Sequence, residues 1–189
     1  MLTVPAYFTH QQKLMTERAG TEAGLNLRRL IAEPTAAALQ FNQQTKKLGK
    51  NELIMVVDLG AGTFDVSLLE KSDDLYQVLA AAGNNFYGGD DYTQAVRKAA
   101  RKNGVELTFV EAEKVKHALG NPTVDKATLP VSDADVRLDF DQLDQRLEQP
   151  INRVLTDAQI RPEQVTRVLL VGGQTKQKSV QNAIQKIMH

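Results

Sequence analysis

Cysteine is absent from the 189 residues, which excludes a disulfide framework, a thiolate metal site and a cysteine nucleophile, and fits a reducing compartment such as the cytoplasm. Neither charge sign is in excess. Lysine plus arginine and aspartate plus glutamate number 23 each, so there is no basic footprint for nucleic acid and no acidic tail. No apolar run reaches membrane-spanning length, and Met1-Leu2-Thr3-Val4-Pro5 lacks the basic flank and long apolar stretch of a secretory signal. Neither nucleic acid nor a membrane is therefore expected as a partner. Short-period repeats are also missing. What remains, 42% apolar and 24% charged residues, suffices for one or two buried cores in an ordered chain. The chain opens directly on strand-like residues, which suggests a segment removed upstream.

Local signals divide the chain into elements. Thr9 with Gln12 has capping-box spacing and predicts a helix to about Ala23, ended by Gly24 in a left-handed cap. Leu25 to Ile31 reads as a short extended segment. Glu33-Pro34 then opens a helix continued by Thr35 to Phe41, proline being tolerated where its missing N–H would have had no partner. Residues 43–51 are polar and read as a surface connection. Leu53 to Val57 is a buried strand, Gly60-Ala61-Gly62 turns it, Phe64 to Leu68 alternates like an antiparallel partner, and Tyr76 to Ala81 is a third strand. A helix from about Asp91 to Asn103 ends at Gly104, and Thr108 with Glu111 caps another running to Leu119. Lys126 to Val131 and Val136 to Phe140 read as two short strands. Leu143, Leu147, Ile151, Val154 and Leu155 mark one long helix kinked by Pro150, and Val168 to Val171 is a strand that leads through Gly172-Gly173 into a last helix.

Two places carry the residues of a binding chemistry. Asp58-Leu59-Gly60-Ala61-Gly62-Thr63-Phe64-Asp65 sets acids on either side of a small-residue turn. Backbone without side chains can approach a polyphosphate and offer it amides, Thr63 can donate to a terminal phosphate, and the acids can hold hydrated magnesium. A plain hairpin with a glycine turn and solvated aspartates would read the same way in isolation. Val171-Gly172-Gly173-Gln174-Thr175 repeats the strand, glycine turn and helix order. Two such approaches suit a ligand with two ends, such as a nucleotide, although alone this one reads as a tight strand-to-helix turn.

Five segments in sequence order carry a resemblance. Thr3-Val4-Pro5-Ala6-Tyr7-Phe8, Glu33-Pro34-Thr35-Ala36-Ala37-Ala38, the Asp58 to Asp65 octapeptide, Gly88-Gly89-Asp90-Asp91-Tyr92 and Leu170-Val171-Gly172-Gly173-Gln174-Thr175 together resemble the nucleotide-binding domain of heat shock protein 70 (DnaK-type) chaperones. The likeness covers nearly the whole chain. It implies an α/β, actin-like ATPase (ribonuclease H-like) fold, present in part and with a shortened inserted α/β subdomain. Residues 1–48 would be the later part of the first lobe, 49–87 and 151–189 the base of the second, and 88–150 its reduced upper subdomain. It also implies binding of ATP or ADP with magnesium, co-chaperones and nucleotide-exchange factors as partners, and unfolded client proteins taken through a peptide-binding domain that this sequence does not contain. The family's first phosphate loop and catalytic lysine are not in the sequence, so turnover by this chain alone is not expected. The first-lobe surface left without its neighbour is expected to favour a dimer.

By the same resemblance, Gly60, Ala61 and Gly62 form the second phosphate loop, Thr63 meets the terminal phosphate, and Asp58 and Asp65 serve magnesium through water. Glu33 lies beside the attacking water. Gly172, Gly173 and Gln174 form the turn at the nucleoside and its nearest phosphate, with Gly88 and Gly89 in the same binding set. Glu113 and Lys116 grip the nucleoside, and Pro5 switches between nucleotide states. Some positions depart from the family pattern. Ala61 replaces a glycine, which is harmless if its φ is negative. Lys176 stands where many members stack an arginine on adenine, and lysine has no planar face. Gly120 removes a serine hydroxyl, Lys13 replaces an arginine that couples domains, and His117 lies among the altered nucleoside contacts. His10, His117 and His189 are too scattered for a metal site of their own, and Asp91 reads as a helix cap. Two other functions stay open: a divergent, non-catalytic interaction module, and another kind of actin-like ATPase.

Overall fold

The computed structural model describes residues 1–121 and 123–189. It divides into two compact units, one made of Met1–Val57, Asp65–Gly83 and Asn152–Val171, the other of Asp58–Phe64, Asn84–Ile151 and Gly172–His189.

In the first unit, β1 (Leu2–Val4) pairs in parallel with β2 (Leu30–Ala32), with Thr3 opposite Ile31. Between them runs α1 (His10–Glu22), whose Thr9 cap is closed by Gln12. Gly24 then takes φ +81°, the left-handed cap that the sequence predicts. Of the expected extended segment Leu25 to Ile31, only Leu30 and Ile31 are strand, and the strand continues to Ala32. Immediately after it, α2 (Glu33–Thr45) starts with Pro34 in its first turn, and it reaches four residues beyond Phe41, into the stretch expected to be a polar connection.

The main sheet has the order β5-β4-β3-β6, from β3 (Asn51–Leu59), β4 (Phe64–Ser72), β5 (Leu75–Asn84) and β6 (Arg167–Val171). β3 and β4 are neighbours joined only by Gly60–Thr63, too short for a crossover, so they run antiparallel. The side of α2 carrying Ala37, Ala38 and Phe41 packs on Ile54, Val56, Leu69 and Leu169 of this sheet. That cover explains why β3 reads as an unbroken apolar run rather than an alternating one. Lys71 is buried within the sheet, and its ammonium donates to the carbonyls of Gly49 (2.6 Å) and Asp73, pinning the loops at that end.

The second unit is helical: α3 (Gly89–Lys102), α4 (Phe109–Gly120), α5 (Asp133–Gln145) and α7 (Lys178–Met188), with the opening residues of α6 (Glu148–Asp157). α3 buries Tyr92, Thr93, Ala95, Val96, Ala99 and Ala100, one stripe at helical spacing. The predicted Thr108–Glu111 capping box is present, with Thr108 N–H donating to Glu111 at 2.8 Å. Aromatic edges fill the centre, Phe64 against Tyr87 at 5.9 Å and Tyr92 against Phe140 at 5.1 Å.

Two expectations fail in this unit. The strands expected at Lys126–Val131 and Val136–Phe140 are a single helical turn, Lys126–Thr128, and the helix α5. Val136-Arg137-Leu138-Asp139-Phe140 imitates strand alternation, but Leu138 is 70% exposed while Val136, Phe140 and Asp144 are buried. The true period is four, and Ser132 starts the helix by a capping box with Asp135. The inserted segment therefore contains no strand among its described residues. The single kinked helix is also wrong: α5 ends at Gln145 and α6 starts at Glu148, with Pro150 in its first turn, where no N–H partner is lost. Ser132→Ala should cost about 1 kcal/mol by removing the cap, read as a shift in the urea midpoint at constant m-value; an unchanged midpoint would contradict the capped helix.

Candidate functional site

In the second unit, the turn after β3 is the centre of a set of close backbone approaches. Gly60 N–H donates to the Thr63 carbonyl at 3.0 Å and closes the turn. The start of α3 is laid on the turn from outside: Gly89 N–H donates to the Gly60 carbonyl at 2.8 Å and Asp90 N–H to the Ala61 carbonyl at 2.7 Å. Gly88 has no room for a side chain, since a Cβ there would lie 2.4 Å from the Ala61 oxygen. Asp91 caps this helix by accepting from Gly88 N–H at 2.9 Å.

Gly172 makes the second approach. Its φ is +87°, and a Cβ would sit 2.3 Å from the Leu59 oxygen and 2.7 Å from Asp58 Oδ1. Both constraints require glycine. The two glycine segments, 88–89 and 172, are thus seated on the same strand end and turn, although Gly88 and Gly172 are 84 residues apart in sequence. Beyond Gly172 the chain makes a helical turn, Gly173–Lys176, in which Thr175 donates to the Gly172 carbonyl at 2.7 Å.

Lys116 joins the same place from α4. Its ammonium, 3% exposed, donates to the Gly89 carbonyl at 2.9 Å. Burial lowers its pKa, while Glu113 and Asp90 oppose that shift by favouring the charged form. Gln174 is buried beside it, with its side-chain oxygen 3.1 Å from where a Gly89 Cβ would be. Among the described residues its Nε2 has no hydrogen-bond partner. A buried donor left unmatched is costly, so this amide marks a position where an acceptor would be held. Asp58, at the end of β3, has its pKa raised by burial.

The remaining residues are disposed as follows. Gly62 and Gly173 have open space on their Cβ side, leaving their backbone accessible to a ligand. Ala61 is not among the residues with positive φ, so the alanine is accommodated without strain. Thr63 and Ala61 are exposed. Glu113 lies one turn before His117, 4.0 Å from it. Lys176 is not at the glycine junction but in a cleft that also takes in Gly120.

In the first unit, Glu33 and Asp65 come to one place around a residue that sequence reasoning passed over. The Tyr7 phenol has its pKa raised by burial, then by Asp65, to which it is hydrogen-bonded, and by Glu33. Nothing in the local pattern around Tyr7 signals this, because its partners are 26 and 58 residues away.

A family model described as Hsp70 protein matches residues 1–189. The chain belongs to the Hsp70 family. Among curated relatives, a chaperone protein DnaK of Thermosipho melanesiensis is 37% identical over 216 aligned positions, covering 99% of this chain and 36% of that protein. A chaperone protein dnaK1 of a Synechocystis species is 37% identical over 215, covering 98% and 31%. This Hsp70 chain thus spans about a third of the length of the curated relatives it matches. Both alignments are longer than the chain, so the relatives carry residues with no counterpart here. Membership makes the fold a partial actin-like ATPase fold, and the strand and helix order above is a mixed α/β arrangement consistent with it.

Proposed function

We propose that this chain is part of the ATP-binding domain of a molecular chaperone and that it holds the phosphates of ATP or ADP on the Gly60–Thr63 turn. The supporting observation is the convergence of Gly88, Gly89 and Gly172 on that turn and strand end, Gly88 and Gly172 at distances that only glycine permits. Beside it stands a buried ammonium, Lys116, and an unmatched amide donor on Gln174. Open backbone at Gly62 and Gly173 offers amides to phosphate oxygens.

In this reading Thr63 donates to the terminal phosphate, Gly172, Gly173 and Gln174 meet the nearest phosphate and nucleoside, and Glu113 and Lys116 hold the nucleoside from α4. Glu33 orients the attacking water, and Pro5 relays the nucleotide state. Magnesium, when bound, neutralises phosphate charge. No cluster of three His, Cys, Asp or Glu among the described residues could hold a metal by itself, so the ion fits here as the partner of phosphates, with Asp58 and Asp65 reached through water. The half-buried Asp58 carboxylate, whose charge burial disfavours, is suited to a nearby cation. For the whole protein, co-chaperones, exchange factors and unfolded clients are the proposed partners, in the cytoplasm. Exposed Leu14, Met15 and Leu25 on the first unit support self-association.

Calorimetric titration with ADP and ATP, each with and without magnesium, tests the proposal. The expected result is saturable binding that weakens when magnesium is removed, with stabilisation by about 2.7 kcal/mol at a hundredfold excess over Kd. Absence of heat and of any melting shift would favour the second reading, a non-catalytic interaction module, whose support is Lys176, Gly120 and His117 at positions where the family resemblance places nucleoside contacts.

A further inference from the structure

The connection from β5 to α3 delivers the glycine pair 88–89 to the turn after β3, and it is held from the end of α5. Phe86 points its ring into solvent, 87% exposed, so that side chain anchors nothing. Its backbone is held instead: the Phe86 N–H donates to Asn84 Oδ1 at 2.9 Å, and its carbonyl accepts from Arg146 Nη2 at 3.3 Å. Tyr87 turns inward, fully buried, and donates to the Leu143 carbonyl at 2.8 Å. Arg146, the residue that caps the end of α5, also lays its guanidinium 4.4 Å from the centre of the Tyr87 ring and brings Nη1 to 3.5 Å from Asp91 Oδ1. One planar cation thus meets the carbonyl of residue 86, the ring of residue 87 and the carboxylate of residue 91.

Taken alone, the pair of Arg146 with Asp91 is weak, since the two side chains are 40% and 33% exposed and water screens their attraction. The stack changes that balance. A guanidinium can lie on an aromatic face and donate from its edge at the same time, and the face it covers here belongs to a buried ring that cannot move away. Asp91 carries the effect onward: its other oxygen, Oδ2, accepts from Gly88 N–H at 2.9 Å. The next two amides, of Gly89 and Asp90, are the ones that donate to the Gly60 and Ala61 carbonyls. Lys116 holds the Gly89 carbonyl from α4, so the glycine pair is gripped from two helices.

We propose that Arg146 is a positioning residue for phosphate binding: from the end of α5 it braces Asp91 and the backbone of residues 86–88, and so keeps the Gly89 and Asp90 amides on the turn that the phosphates occupy. The phosphate part rests on the function proposed above, whereas the brace itself does not. Arg146 acts on the turn through Asp91 and the connection, not by touching it. The same links make the turn sensitive to α5, because any displacement of the end of that helix would withdraw the guanidinium from all three of its partners.

Amide hydrogen exchange and calorimetry with magnesium pyrophosphate, both on the whole chain, test this. Arg146→Met keeps the length of the side chain and removes its charge and fork. It is expected to speed exchange of the Gly88, Gly89 and Asp90 amides about fivefold relative to amides in the middle of α3, and to weaken pyrophosphate binding about fivefold. Arg146→Lys should recover part of both effects, because it keeps the attraction to Asp91 without the stack. Asp91→Asn should resemble Arg146→Met, and the double variant should be no worse than either, since both substitutions break one link. If Arg146→Met does not fold, Arg146→Lys and Asp91→Asn carry the same comparison. Arg101→Met, which removes an exposed pair with Glu106 at the far end of α3, is the control and should move neither readout. Unchanged exchange in Arg146→Met would overturn the brace, as would a uniform rise across α3 and α5 or fully additive effects of the two substitutions. Faster exchange with unchanged pyrophosphate affinity would overturn the positioning role and leave the phosphate site standing. Failure of the unsubstituted chain to bind pyrophosphate would overturn the proposed function, and the role of Arg146 in it.

Discussion

Gly172→Ala is expected to destabilise the second unit by about 3 kcal/mol or more, the combined cost of forcing alanine into left-handed backbone and of overpacking. At φ +87° a side chain is strained before it touches anything, and here its Cβ would also enter the Leu59 carbonyl at 2.3 Å. The two costs can be separated. Gly104→Ala has positive φ but nothing within 4 Å, so it should show the backbone cost alone, about 1 kcal/mol. Gly88→Ala has extended backbone but a 2.4 Å approach to the Ala61 oxygen, so it should show the clash alone. Urea denaturation of the three variants should rank them Gly172, then Gly88, then Gly104. If Gly172→Ala cost no more than Gly104→Ala, the close seating of the second glycine turn on β3 would be wrong, and the proposed phosphate site would lose its geometry.

Tyr92→Phe is the second large effect. The Tyr92 hydroxyl, fully buried, donates to Asp144 Oδ1 at 2.6 Å and lies 2.8 Å from the Tyr87 oxygen, which donates to the Leu143 carbonyl. Burial pushes both phenols far up, so they act as neutral donors. Asp144 is 6% exposed, and burial raises its pKa although the hydrogen bond from Tyr92 lowers it. Removing the hydroxyl at neutral pH leaves a buried carboxylate short of its donor, at a cost of about 2–3 kcal/mol.

The sign of the pH dependence follows from the direction of the Asp144 shift. An acid whose folded pKa lies above its ordinary value binds its proton more readily in the native state, so its contribution is most favourable below that ordinary value and is lost as pH rises through the folded pKa. Losing Tyr92 raises the folded pKa further. The penalty of Tyr92→Phe should therefore shrink as the solution is acidified from neutrality toward the ordinary carboxylate range, and Asp144→Asn, which removes the charge, should suppress most of the difference. A Tyr92→Phe penalty that stayed constant with pH would show that lost packing, not the buried charge, is responsible.

The local signals that were legible are ones whose partners lie three or four residues away. The capping boxes at Thr9 and Thr108 form as spaced, Gly24 takes the left-handed conformation expected of it, and Gly104, where the helix was expected to end, has positive φ as well. β3 was readable because its apolar run is covered on both faces. The α5 segment was misread for the opposite reason: five residues with apolar side chains at alternate positions satisfy a period of two, and only the burial of Val136 with Phe140 and the exposure of Leu138 select the helix.

The sequence by itself determined the caps at Thr9 and Thr108, the four strands of the main sheet, the glycines at 88, 89 and 172, and, through five motifs in order, the Hsp70 family. It named Gly60, Gly89, Lys116 and Gly172 as parts of one site without showing how they touch. Only the tertiary structure decided that Lys116 is buried on the Gly89 carbonyl, that Gly172 sits against Leu59, and that Tyr7 lies with Asp65 and Glu33. It alone joined Tyr92 to Asp144 and opened a cleft between α4, α5 and α7. The physical reason is separation along the chain: a cap is chosen by φ, ψ and one neighbour, whereas a contact across many tens of residues exists only once the helices between have packed and excluded water from it.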